Sequence, residues 1–317
     1  MAGMDYSASA NLIRAEVWSQ TLQDELLDKL HGTKFVRFVT DFPDGDSFTI
    51  PTVGAIPVRS AVEANAVVYD PISTGEVTLA INKYSEAATY LTDKAKQDMY
   101  YSAQLIGMFP GKMRRAIDED LESSVFAVAN SQTEDDLNTI NGADHRFVAS
   151  GNTNTTLSLD DFAKAKYALD KAGAHGMRVA IIDPSQEYVL NSLVGAQGFI
   201  NNPQFAGIVN SGFVDPVTGL RFIKNIMGFD VYVSNYLATP GDSEIDSISV
   251  PASPKANIFM AVGDDMNPFV AAWRQMPRVE YFRNTNYRRD EFVMNARWGL
   301  TLYRPETLVT VISKSTI

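Results

Sequence analysis

Two alternating runs, separated by a punctuated stretch, constrain this chain more than anything else in it. Phe48 and Ile50 alternate with Ser47 and Thr49, and Val77, Leu79 and Ile81 alternate with Thr78 and Ala80. This is the period-2 pattern of strands with one buried face. Pro51, Gly54 and Pro57 follow the first run, and such punctuation suits an edge ribbon better than a sheet interior. The pattern predicts a β-ribbon over about residues 44–81. A single globule of this length has a radius of gyration of roughly 20 Å, whereas ribbon arms of about 12–15 residues reach roughly 40–50 Å. A ribbon that long runs out of partners in its own domain. Its second face is expected to belong to a neighbouring subunit, which points to assembly ahead of catalysis.

A helical pattern comes next. Leu91, Ala95, Met99, Ala103 and Ile106 recur at helical spacing, and Met113, Ile117, Leu121, Val125 and Val128 resume it after Pro110-Gly111. The spacing predicts a long amphipathic helix, kinked or broken at Pro110, ending near residue 129. Its two halves would span roughly 50 Å at about 1.5 Å per residue. Arg114, Arg115, Asp118, Glu119 and Glu122 read mostly as the opposite, solvated face. Residues 131–156 are polar and acidic, a loop and a boundary. Ser158 with Asp161 has the form of a capping box before a helix at 159–171. Residues 177–182 read as a buried strand, Pro184 as the start of a helix over 185–194, and 195–216 as loop. A turn and strand fall at 225–234 and another strand at 256–262. From residue 270 the alternation is β-like to the end. Residues 1–31 look like an arm, with Leu12, Trp18, Leu22, Leu26 and Leu30 at helical spacing.

The composition narrows the chemistry. Cysteine is absent, so disulfides and thiol nucleophiles are excluded, which fits a reducing cytoplasm. No apolar run approaches the roughly 18–20 residues of a membrane span, and no secretory signal opens the chain. A net charge of −11 argues against tight nucleic-acid binding, which rests on neutralised phosphates. It suits a surface that lies beside nucleic acid without gripping it. His31, His145 and His175 stand in no metal-ligand spacing and read as surface or loop residues. No phosphate loop, nucleophile elbow or calcium loop is present, and the acidic clusters at 118–122, 134–136 and 264–265 read as solvated. No catalytic, cofactor-binding or metal-binding residue is assigned, and no enzyme is expected. Arg278, Arg283, Arg288, Arg289, Arg297 and Arg304 share their segment with only three acids. They either face phosphate or an acidic neighbour, or sit in ordinary ion pairs on outward strand faces. The expected inter-subunit contacts are Phe48, Ile50, Val77, Leu79 and Ile81 on the ribbon and Arg278, Arg283, Arg288 and Arg289 in this segment.

The order of arm, ribbon, long helix, acidic loop, α/β region and C-terminal strands resembles the major capsid proteins of tailed bacteriophages, and within them the short podovirus-type coats. The resemblance covers about residues 30–317. It is carried by Asp46-Ser-Phe-Thr-Ile-Pro-Thr-Val-Gly54 on the outgoing ribbon, by 77–93 as the return strand into a spine helix, and by Asn225-Ile-Met-Gly-Phe-Asp-Val-Tyr-Val233 as a turn and strand of an axial domain. It implies an α+β capsid fold divided into an N-arm (1–31), an extended loop with the first peripheral-domain strands (32–90), and a spine helix with peripheral domain (91–156). An axial domain (157–270) and C-terminal peripheral strands (271–317) complete it. It implies a structural protein that self-assembles, as hexamers and pentamers, into an icosahedral head around a double-stranded DNA genome. The site of synthesis is then the host bacterial cytoplasm and the destination the virion. A portal protein is an implied partner and a membrane is not. Some members join the ribbon tip to a neighbour through a lysine; here no lysine lies between Phe35 and Asn82, so no such link is expected. Only about thirty residues precede the ribbon, so a separate scaffolding protein is implied. An encapsulin-type shell has the same architecture and is the alternative. A metal-dependent hydrolase on residues 157–262 and a host-facing binding protein are the remaining ones.

Overall fold

The computed structural model describes residues 30–39, 47–54, 56, 58–60, 69–99, 102–130, 139–192, 213–214, 221–263 and 265–315. The expected helical arm, the acidic residues 134–136 and most of 195–216 lie outside these. A 3-10 turn, Gly32–Phe35, leads into β1 (Val36–Val39). The ribbon strands are β2 (Ser47–Val53) and β3 (Thr74–Ala80), followed by β4 (Lys83–Thr92), α1 (Asp93–Asp98) and α2 (Ser102–Asn130). Short strands β5 (Thr139–Ile140), β6 (Ala143–Asp144) and β7 (Arg146–Val148) precede a single turn α3 (Gly151–Asn154). The α/β region holds α4 (Leu159–Lys171), β8 (Met177–Ile182), α5 (Pro184–Ser192), β9 (Phe213–Val214), β10 (Arg221–Ile226) and β11 (Phe229–Val233). A small hairpin of β12 (Glu244–Ile245) and β13 (Ile248–Ser249) leads to β14 (Pro254–Val262). The long strands β15 (Phe269–Asn284) and β16 (Arg289–Leu302) and the last strand, β17 (Leu308–Lys314), finish the chain. No helix among the described residues is long and apolar enough to cross a membrane.

Two sheets carry the body, and α2 ties them together. One runs β1-β15-β16-β4; the other runs β7-β17-β14-β8-β11-β10-β9. On α2, Met113, Ile117 and Leu121 pack against Phe292, Met294, Ala296 and Trp298 of the four-stranded sheet. One to two turns after Leu121, Val125, Phe126 and Ala129 pack on Val179, Ile181, Ile258 and Met260 of the seven-stranded sheet. The other face of that sheet, including Ala180, Ile182, Phe259, Val309 and Val311, is covered by Phe162, Ala165 and Leu169 of α4. A sheet buried on both faces needs continuous apolar strands, which is why 177–182 and 256–262 read as unbroken hydrophobic runs. The Ser158–Asp161 capping box forms as expected.

Two expectations are corrected. Leu91 lies in β4, and the helical pattern breaks at Met99, whereas α2 runs unbroken through Pro110. Pro110 is exposed, so water can satisfy the carbonyl that its missing N–H releases. The second correction concerns β17, assigned above to the peripheral strands. It pairs with β14 and β7 in the seven-stranded sheet, because Leu308 to Ser313 are buried on both faces.

Candidate assembly surfaces

The ribbon forms, and its register keeps the alternating apolar residues on one face. Phe48 faces Leu79 and Ile50 faces Val77 across an antiparallel pair. Gly54 N–H donates to the Ser73 carbonyl at 2.8 Å, and Arg59 forks the Asp70 carboxylate at 2.7 and 2.6 Å, so the two sides stay together beyond the regular strands. At the root the ribbon crosses β16 closely. A Cβ on Gly299 would stand 2.2 Å from the Ala80 carbonyl oxygen, so glycine alone permits the crossing. Leu79 and Ile81 are buried there with Val270 and Ala272, against Phe48 and Tyr303. These two residues therefore serve the subunit's own core, which corrects their assignment as contacts to a neighbour. Further out the side chains lose cover: Val58 is 98% and Tyr69 88% exposed, and Val53, Ile56 and Ile72 are exposed too. Phe48, Ile50 and Val77 are half-buried between these two zones.

The arginine segment is the hairpin of β15 and β16. Its register puts Phe292, Met294, Ala296 and Trp298 toward α2 and leaves Tyr84, Tyr90, Phe282 and Arg278 on the outer face. Arg283 forks Asp93 with two bonds of 2.6 Å and reaches Asp290 at 3.0 Å. The two carboxylates hold its guanidinium well above its ordinary range, and it holds the Asp93 carboxyl below the usual one. Arg289 bonds Glu291 at 2.6 Å and lies over the rings of Tyr90 and Tyr287. Both arginines are thus satisfied inside the chain, one of them through an acid, Asp93, that lies far off in sequence. Arg278 and Arg288 remain exposed. On α2, Asp118 is bonded by Arg114 and Glu119 by Arg115. Exposed Phe282, Tyr287, Tyr90 and Tyr84 beside arginines give this face the aromatic-plus-arginine composition of interface centres.

Glu122, assigned above to a solvated face, is fully buried. Its Oε1 accepts the N–H groups of His31 and Gly32, both at 2.7 Å, and Oε2 accepts that of Thr33 at 3.0 Å. The carboxylate caps the 3-10 turn where the N-terminal segment joins the body. Burial pushes the carboxyl up, and the three N–H donors pull against that shift. A Cβ on Gly32 would meet Oε2 and the Phe126 ring at 3.2 Å, so the chain approaches α2 this closely only through glycine. The available signal was an acid at i, i+4, i+7 with Phe126 and Ala129, on the flank of an apolar face. His31 and His145 are also fully buried, contrary to the surface reading; His175 is exposed as expected. The His145 Nδ1 lies 3.1 Å from the Ala143 carbonyl, and burial lowers the imidazole's affinity for a proton. Among the described residues, no group of three or more His, Asp or Glu side chains could hold a metal ion.

Solved structures share this fold over nearly the whole chain. The capsid of cyanophage Pam1 superposes with a TM-score of 0.73 at 11% identity, covering 98% of this chain and 99% of that one. A Mycobacterium phage Che8 structure gives 0.68 at 16% identity, covering 95% and 97%. The capsid of Ralstonia phage GP4 gives 0.68 at 10% identity, covering 100% and 99%. No curated protein sequence matches the chain. Because an encapsulin-type shell has the same architecture, the fold does not divide the two shell readings. A family profile does: that of the phage capsid proteins matches residues 75–311. The chain belongs to the phage capsid protein family, and its role is that of a structural major capsid protein, a component of a multimeric icosahedral shell.

Proposed function

We propose that this subunit has no catalytic activity and builds the closed head of a tailed phage by laying its ribbon across an adjacent copy. One observation carries the reading. The ribbon is anchored at its root by Leu79 and Ile81, while Val53, Ile56, Val58, Tyr69 and Ile72 stand in solvent beyond it. Burying one such side chain contributes about 1.5–3 kcal/mol, so leaving five uncovered in a lone subunit favours assembly. In this reading the four-stranded sheet with α2 is the peripheral domain and the seven-stranded sheet the axial one. The half-buried Phe48, Ile50 and Val77 and the exposed Arg278 and Arg288 sit at the edge of inter-subunit contacts. Hexamers and pentamers, a separate scaffolding protein, a portal and packaged double-stranded DNA are the partners, and the host cytoplasm is the site of synthesis.

Deleting residues 52–75 tests the proposal. The expected product is a folded, soluble subunit that forms no particles; shells from the deleted chain would overturn it. Arg288→Glu separates the two roles of the arginine face. Impaired assembly of empty shells supports a subunit contact, and normal empty shells that fail to package DNA support a genome-facing one.

A further inference from the structure

The packing of α2 on the four-stranded sheet leaves a gap. Beyond the contact of Met113, Ile117 and Leu121 with Phe292, Met294, Ala296 and Trp298, a hollow of about 310 Å³ remains open. It is lined by Ser124 and Ala127 of α2, Trp298 and Leu300 of β16, and Asn82 and Lys83 where β3 turns into β4. A hollow of this size is at the lower end of small-molecule sites, which are mostly apolar with a few convergent polar groups. Trp298 is fully buried, and its Nε1 donates to Ser85 Oγ at 3.1 Å. The indole N–H is thus engaged elsewhere, and what Trp298 adds to the hollow is apolar, aromatic surface.

Three polar side chains stand around that apolar floor. Ser124 is only 8% exposed, yet its hydroxyl bonds no protein group among the described residues. A ligand that reaches it gains a hydrogen bond the fold leaves open. Asn82 and Lys83 are exposed at the mouth, and neither side chain has a hydrogen-bond or ion-pair partner among the described residues. In a chain of net charge −11, a lysine with no acid on it is a local attraction for an anion. A second hollow shares Lys83 but has Glu86 and Asp120 in its wall. Those carboxylates repel an anion, so the charge pattern selects the first.

We propose that this hollow binds a small amphiphilic anion. Its flat apolar body lies against Trp298 and Leu300, and its charged group sits at the mouth beside Lys83 and Asn82, within reach of the Ser124 hydroxyl. Burial of the apolar body supplies most of the affinity, and the lysine selects the sign of the charge. The site belongs to the lone subunit, so its failure leaves the shell reading standing.

Two probes that differ by one charged group test the proposal: anilinonaphthalene sulfonate and its uncharged parent, phenylnaphthylamine. Each is titrated into the full-length, unassembled subunit, and its emission is followed on excitation of tryptophan. Lys83→Gln should weaken the sulfonate by about two- to five-fold, the range of an exposed charge pair, and leave the uncharged probe unchanged. Ala127→Phe, at an exposed helix position, fills the hollow and should abolish the signal of both; if it does not fold, Ala127→Leu carries the same test. Val58→Asp, on the exposed part of the ribbon, should change neither. A sulfonate that does not bind the parent chain, that still binds after the hollow is filled, or that is lost with Val58→Asp overturns the proposal. Equal responses of the two probes to Lys83→Gln overturn it as well. Unchanged probe binding in Ala127→Phe together with failed shell assembly would assign the hollow to a second copy of the chain instead.

Discussion

Replacing Glu122 with glutamine removes one oxygen from a site where both are in use. The carboxylate takes two N–H groups on Oε1 and one on Oε2. An amide of the same shape offers a single oxygen and turns an NH2 group toward the remaining donors. In its better orientation it keeps His31 and Gly32 and abandons Thr33. A buried donor left without an acceptor costs about 1–3 kcal/mol, and the two surviving bonds lose their charge assistance. Against this, the neutral amide is cheaper to bury than the carboxylate, whose burial already pushes it toward protonation. The expected net loss is about 1–3 kcal/mol, with Glu122→Ala larger because all three donors lose their acceptor. Urea unfolding of the unassembled subunit, followed by tryptophan fluorescence, reads this directly. With a slope of about 3 kcal/mol/M, the upper end of the usual urea range, the midpoint should fall by roughly 0.3–1 M. Gly32→Ala should also destabilise, and its effect should not add to that of Glu122→Ala, since both act on one contact. A glutamine variant with an unchanged midpoint and slope would refute the account of Glu122 as the acceptor that fixes the 31–33 turn.

The ribbon makes a paired prediction: Leu79→Asp should abolish folding of the subunit, because Leu79 is fully buried, whereas Ile50→Asp should leave a folded monomer, by circular dichroism, that assembles poorly. Burial depresses the His145 proton affinity, so the unfolded chain takes up a proton near pH 6.5 that the folded chain resists. Stability from this group is therefore present above that pH and lost as pH falls toward the lowered folded value. His145→Asn, which keeps a donor for the Ala143 carbonyl, should flatten the stability profile between pH 7 and 5 relative to the parent. Shell cohesion should be non-covalent, since the chain has no cysteine and no lysine between Phe35 and Asn82. Particles boiled in detergent without reductant should give one band near 34.9 kDa, and a ladder of multimers would contradict this.

What could be read from the residues was what local periodicity decides. That Phe48 and Ile50 share a face, as Val77 and Leu79 do, follows from period-2 alternation, and the α4 start follows from Ser158 and Asp161. The positions that resisted are those set by partners distant in sequence. Glu122 is an acid on a helix until residues 31–33 arrive, about 90 positions away. The placement of α1 cannot be read locally, because Asp93 and Lys96 bond Arg283 and Asp290, some 190 positions on. The run from Leu308 to Ile312 announces a strand, but an apolar run buried on both faces carries no mark of which sheet receives it. Arg283 finds one partner, Asp290, inside its own segment, but the carboxylate it forks, Asp93, lies outside it.

Cryo-electron microscopy of particles assembled from the full chain tests the central claim most directly, by locating residues 47–80 relative to the subunit that contributes them. The account predicts closed icosahedral shells in which the ribbon leaves its own four-stranded sheet at Leu79 and lies across an adjacent copy, with Val53, Ile56, Val58, Tyr69 and Ile72 covered by that copy. A ribbon folded back on its own subunit, or left uncovered in a complete shell, would contradict it.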